Sequence, residues 1–257
     1  GGAVVAASTA SLTVHAPGGR TTFSSVDPAA DYTCVAAQAF GGGAVAAGRA
    51  RASLVALDAA TGSVSPVPAA PGGATALCGA PRGALAVGTR AGRLILVDPR
   101  AGWRAGADVA GAPGPVLALD ASRDLIAMAA ASPGGGGLDP VVRVFDVRSL
   151  PRALPPLHFP PRAVDIRFVP NLYGTLLLVG ASGVVALGDA AGGAVGPLLP
   201  VDAGGAPLLS GDVSASGGLI AAASGGGYLH LLARGDPGSA VVVGAAPPPV
   251  PPPRPSA

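Results

Sequence analysis

The sequence predicts an all-β propeller, and three observations carry that prediction. One phrase, an apolar run followed by a Gly or Ser turn and a second apolar run, recurs five times, at 44–58, 84–98, 125–146, 176–189 and 219–232. Four of the phrases close on Asp58, Asp98, Asp146 and Asp189, spaced by 40, 48 and 43 residues, and the fifth closes on Leu232, a further 43 along. Hairpins repeating every ~40–45 residues have the period of propeller blades. Third, 41 Gly and 28 Pro alone would suit a disordered chain, but a hydrophobic content of 49% is enough to build a core.

Taken in chain order, residues 1–33 form a partial leading blade, in which SLTVHAPGGRTTF (11–23) supplies about half of a blade. Five complete blades follow near 34–69, 74–110, 115–157, 163–200 and 208–240, and a Pro-rich linker occupies 241–257. Runs such as Leu94-Ile95-Leu96-Val97 are short, branched and bounded by turn formers, as buried strands are, and too short for buried helices. The turns DAATG (58–62), DPRAG (98–102) and DAAGG (189–193) join third to fourth strands. In each, Asp bonds forward to its own backbone and Gly accepts positive φ. VLALDASRDLIAMA (116–129) and SGDVSASGGLIAAA (210–223) each read as strand, polar Asp-Ser loop, strand, the first two strands of a blade. Such a unit cannot bury both faces alone, so the blades must stack around an axis. Five and a half blades fit a five- or six-bladed ring or a larger one.

Composition excludes much chemistry. Every basic residue is Arg and every acidic one Asp, so phosphate-loop lysines, Ser-x-x-Lys nucleophiles and His-Glu-x-x-His zinc sites all lack a necessary residue. The net charge of +2, with no basic run, does not describe a nucleic-acid groove. Cys34 and Cys78, each inside an apolar segment, suit reduced buried thiols of an intracellular protein better than a disulfide framework, with a single bridge as the alternative. His15, His158 and His230 share no ligand spacing, and the Gly-rich loop 133–137 is followed by the strand-like DPVVRVFD where a phosphate cradle needs a helix. No catalytic, cofactor-binding or metal residue is assigned.

The 21 uncharged residues from 168 to 188 contain Pro170, Asn171 and four glycines and align with charged repeats, so they are not read as a membrane span. The chain opens on Gly1-Gly2 without a basic region, which is no intact signal peptide and suggests a piece of a longer chain. Three surface features are noted and set aside: Trp103 with Arg100 and Arg104, read as a half-exposed blade-edge Trp; the PxxPxR pattern at Pro249, Pro252 and Arg254; and Arg234-Gly235-Asp236.

Leu57-Asp58, Val97-Asp98 and Phe145-Asp146 hold the place of the Trp-Asp pair that ends the third strand of a WD repeat, while the Gly-His pairs are missing. DPVVRVFDVRSLPRALPPLHF (139–159), then VDIRFVPNLYGTLLLVGASG (164–183), then the stretch 195–231 with its DVSAS phrase, resemble in sequence and in order the N-terminal WD-repeat domain of the catalytic subunit of the poly(A)-nuclease deadenylation complex. The resemblance covers roughly 20–240 and is strongest from 139 onward. It implies a domain that has seven blades when complete. It also implies a larger protein in which a linker, a ubiquitin-hydrolase-like domain without peptidase function and a magnesium-dependent DEDD-type 3′ exoribonuclease follow.

The implied role is a non-catalytic scaffold in mRNA deadenylation and decay, cytoplasmic and in P-bodies. Its implied partners are a dimeric pseudokinase-like adaptor and, through it, poly(A)-binding protein and poly(A) RNA. The alternative is an unrelated WD-repeat protein-interaction adaptor. A propeller enzyme ranks third, since it would need inward-facing Glu, Asp and His converging on a metal or cofactor.

Overall fold

A computed structural model describes residues 73–133 and 136–233 continuously and, before them, the segments 4–8, 11–15, 21–26, 32–37, 44–48, 54–57 and 63–67. Among the described residues, twenty-three strands form six antiparallel sheets. The first holds β1 (Val4–Ser8), β2 (Ser11–His15) and β3 (Thr21–Val26); the second β4 (Tyr32–Ala37), β5 (Ala44–Gly48), β6 (Leu54–Leu57) and β7 (Val64–Val67). The third holds β8 (Ala74–Gly79), β9 (Leu85–Thr89), β10 (Arg93–Asp98) and β11 (Arg104–Ala110). The fourth holds β12 (Val116–Ser122), β13 (Leu125–Ala130), β14 (Val141–Asp146) and β15 (Leu157–His158). The fifth holds β16 (Ala163–Phe168), β17 (Thr175–Gly180), β18 (Val184–Asp189) and β19 (Ala194–Val195), with β20 (Leu199–Pro200) also on β18. The sixth holds β21 (Leu208–Val213), β22 (Leu219–Ser224) and β23 (Leu229–Ala233).

Neighbours in each sheet follow one another in the chain, so each sheet is a meander, and consecutive sheets stack face to face. β1 packs near β4, and the inner strands β4, β8, β12, β16 and β21 then lie against one another in turn. Each apolar cluster accordingly fills a space between two sheets. Ala36, Leu54 and Val67 of the second sheet meet Leu85, Val87 and Ile95 of the third. Val142, Val144 and Leu157 of the fourth meet Ile166, Leu176 and Leu178 of the fifth. This is the WD-repeat-like β-propeller expected from the repeat, with buried strands at the positions of the apolar runs.

A repeated irregularity tells the strands of a blade apart. The pairing of first with second strand slips by one residue at Tyr32/Cys34, Ala74/Ala76, Val116/Ala118, Ala163/Asp165 and Leu208/Ser210. Such a bulge bends the inner strand and increases its twist. β1 and β2 pair without a slip, whereas β2 and β3 slip at Val14/His15, as β10 and β11 do at Leu96/Val97. The leading sheet therefore supplies the second to fourth strands of a blade, three strands where the sequence suggested about half a blade.

The uncharged run 168–188 is the end of β16, all of β17 and most of β18, three successive strands of one sheet. No described helix is long and apolar enough to cross a membrane. Asp120 and Ser122 lie within β12 and Asp212 within β21, so the polar loops predicted there shrink to Arg123-Asp124 and to 214–218. Asp120 accepts the Phe168 N–H of the next sheet and Asp212 the N–H of Val213, so both carboxylates are satisfied within strands.

Candidate partner-binding surface

In a four-stranded meander the link between strands one and two and the link between strands three and four emerge at the same end. In the third to fifth sheets these links are 80–84, 99–103, 123–124, 147–156, 169–174 and 190–193, and together they build one loop face. The three-four links obey the local rule expected of them. Asp98, Asp146 and Asp189 each accept, through Oδ1, the N–H two residues ahead, that of Arg100, Arg148 and Ala191, at 2.9 Å in every case. Gly102 closes the first of these turns at φ 68°, where a Cβ would be strained.

Two of those turns also carry an arginine that folds back. Arg148 donates from Nε to Asp146 Oδ1 at 2.9 Å and from Nη2 to Oδ2 at 2.6 Å, and approaches Asp124 Oδ2 at 3.6 Å. This bidentate grip, with the turn hydrogen bond added, holds the Asp146 carboxyl down at about 2 and pushes the Arg148 guanidinium up. Asp98 is lowered for the same reason by Arg100. Arg100 reaches on to donate from Nη2 to the Arg82 carbonyl at 3.0 Å.

The one-two links add Arg82 and Arg123, both in the left-handed region at φ 58° and 52°, and Asn171 at φ 65°. The Arg123 guanidinium lies over the Tyr173 ring, 5.1 Å from its centroid. Leu172 and Tyr173 beside it are 44% and 53% exposed, which marks this edge as apolar as well as cationic. None of Arg82, Arg123, Leu172 or Tyr173 was singled out from the sequence. The available signal was positional: Arg82 and Arg123 each fall in the short link after an inner strand.

The inner strands carry a second polar array. Thr75 donates from Oγ1 to the Val116 carbonyl at 2.6 Å. Asp120 accepts the Phe168 N–H at 2.6 Å, and Asp165 accepts the Gly211 N–H at 3.1 Å and the Ile166 N–H at 2.9 Å. Arg167 donates to the Gly211 carbonyl at 3.3 Å and lies 3.5 Å from Asp165. Burial pushes both carboxyls up, with the Phe168 N–H opposing it at Asp120 and Arg167 opposing it at Asp165. A cleft of about 760 Å³ opens beside Asp120, Arg167 and Asp212 and runs out across the free face of the sixth sheet. Of its two carboxylates, Asp120 is spent on joining the fourth sheet to the fifth and Asp212 accepts the N–H of Val213, which are structural uses.

The residues weighed from the sequence are dispersed. His15 is on β2, His158 on β15 and His230 on β23, where its Nε2 lies 3.3 Å from Ser224 Oγ in a buried setting. Among the described residues no three His, Cys or Asp side chains cluster as metal ligands would. The Cys78 thiol is buried and pushed up by burial and by the charge of Asp120, and Cys34 is half-buried. Trp103 packs onto the core between the second and third sheets, so it does not join Arg100 and Arg104 as an open stacking platform. Ser132 and Leu138 frame the Gly-rich loop, which leads into strand β14. The turn 58–62, the Arg234-Gly235-Asp236 tripeptide and the PxxPxR pattern lie outside the described residues.

Six meandering sheets stacked in turn define the fold as a WD40-type β-propeller. Among solved structures the chain is similar to the Neurospora crassa Pan2 WD40 domain, with a TM-score of 0.74 at 21% identity over 86% of this chain and 69% of that one. It is also similar to a chain of a mitotic checkpoint complex crystal structure, with a TM-score of 0.73 at 17% identity over 91% of this chain and 73% of that one. No family model matches the chain, and no curated protein does.

Proposed function

We propose that this chain is the non-catalytic propeller scaffold of an mRNA poly(A)-tail deadenylase catalytic subunit. In that reading it engages a dimeric pseudokinase-like adaptor in the cytoplasm and, through the adaptor, poly(A)-binding protein and poly(A) RNA. The observation that carries the reading is a coincidence of order. The three phrases that resemble the deadenylase family fall on β14–β15, on β16–β17 and on β20–β23, successive parts of a propeller similar to the Pan2 WD40 domain. The aspartates support a non-catalytic reading, because Asp98 and Asp146 on the loop face close turns and pair with arginines, and Asp120 and Asp165 on the inner strands tie sheets together.

Titrating the purified chain with the dimeric adaptor in a calorimeter tests the reading. Saturable binding is expected, together with no magnesium-dependent shortening of an oligo(A) substrate. Heatless titration at 100 μM adaptor would overturn it. A second reading, an unrelated WD-repeat interaction adaptor, is favoured by the nearly equal likeness to the checkpoint-complex chain, and it predicts that outcome.

A further inference from the structure

We infer that residues 239–243 of this chain dock along the open edge of β23 as the fourth strand of the sixth sheet, so that the Pro-rich tail leaves from the end of the propeller opposite the loop face. The start of the linker thereby moves from 241 to 245.

The second, third and fourth sheets each carry a fourth strand, whereas the sixth has no described strand beyond β23. Such an edge leaves backbone donors and acceptors ready for a further strand. The chain that follows has the composition to supply one. Arg234-Gly235-Asp236-Pro237-Gly238 is rich in turn formers, Ser239-Ala240-Val241-Val242-Val243 is a short branched run, and Gly244 and then Pro247 end it. The link 234–238 has the length of the link 99–103, across which Asp98 pairs with Arg104, and both contain an Asp-Pro step followed by a glycine.

With that register Ser239 comes opposite Ala233, Val241 opposite Leu231 and Val243 opposite Leu229. Both faces of the added strand then meet apolar neighbours. Ile220 and Ala222 belong to the core against the fifth sheet and pair with Leu232 and His230 of β23, so Ala240 and Val242 extend that core. Leu229, 49% exposed, pairs with Ala223 on the other face, and Val243 flanks it there. The occupant is the chain's own segment, because a link this short holds it beside the edge at an effective concentration in the ~mM range, which a strand from another molecule does not reach. Third-to-fourth links turn at the loop face and the fourth strand runs back from it, so the chain from Ala245 onward emerges at the opposite end from Arg148 and Tyr173.

Amide hydrogen exchange of the full chain, read residue by residue by NMR, is the test. The amides of 239–243 are expected to exchange at least ~100-fold more slowly than those of a free peptide of residues 234–246. Val241→Pro together with Val242→Pro removes two donors; it should return 239–243 to the peptide rate and speed exchange in β23 at least ~10-fold, while β13 and β17 keep their rates. A spin label on Ala246→Cys, with Cys34→Ala, should broaden Gly226 and Tyr228 in the link between β22 and β23 and spare Ser216 in the link between β21 and β22. Peptide-rate exchange at 239–243, protection untouched by the two prolines, or broadening of Ser216 with Gly226 spared would overturn the proposal. Protection lost on dilution from about 200 to about 5 μM would overturn it too, since a second copy would then be supplying the strand.

Discussion

At the scale of single residues, carboxylates do two different jobs, and pH tells them apart. Asp146 is held near 2, below its ordinary 3.8, so its contribution is present above 3.8 and is lost as the pH falls towards 2. Asp165 is shifted the other way by burial, so the folded chain takes up that proton before the unfolded chain does. Its linked contribution is therefore complete below 3.8 and fades as the pH rises through the folded value. Asp165→Ala orphans the Gly211 N–H between the fifth and sixth sheets and is expected to cost ~1–3 kcal/mol in urea unfolding at pH 7. The gap between parent and variant should widen as the pH falls from 7 towards 4; a gap that narrows would mean that the carboxyl is not raised. The jobs also differed in legibility. Asp98 and Asp189 could be read because their partners lie two residues on, whereas Asp120 and Asp165 were assigned to no contact because theirs lie 48 and 46 residues away, on another sheet.

At the scale of the blade, the residue before the turn aspartate points back into the preceding sheet interface. Val97 joins the core between the second and third sheets, and Phe145, 2% exposed, the core between the third and fourth. In the fifth sheet the same place is Gly188, where an added Cβ would collide with the Leu157 side chain. Leu157 thus fills the volume that a large residue fills one blade earlier. Phe145→Ala is expected to cost ~3–5 kcal/mol in denaturant unfolding. A loss under 1 kcal/mol would mean that the interface collapses into the void. The strand pattern was legible because each blade repeats it. The loop-face cluster was not, because Arg82, Arg100, Arg123, Arg148 and Tyr173 come from three blades and meet only once those blades stack.

At the scale of the whole molecule, the sixth sheet presents an uncovered face. Leu209, Leu219 and Leu229 are 59%, 38% and 49% exposed, and β23 has no described neighbour beyond it. Open edges and apolar faces invite association. Leu229→Ser is expected to lower self-association in sedimentation velocity while leaving the melting temperature within about 2 °C. An unchanged sedimentation profile would place the sticky surface elsewhere. Deleting 245–257, a Pro-rich stretch poor in amide donors, is expected to leave thermal unfolding unchanged, and a large drop would make that segment part of the propeller.

From the third sheet to the sixth, these side chains cross between inner strands by reaching forward along the chain: Thr75 to Val116, Asp120 to Phe168, Asp165 and Arg167 to Gly211. Under a pulling force this gives the propeller a direction. Tension applied from the C-terminal side would peel away the sixth sheet first, stripping Asp165 and Arg167 of the backbone groups they hold and so loosening the fifth sheet for the next step. Tension from the N-terminal side meets sheets whose forward grips are still made, so an optical trap should record stepwise rips in one pulling geometry and fewer, larger ones in the other.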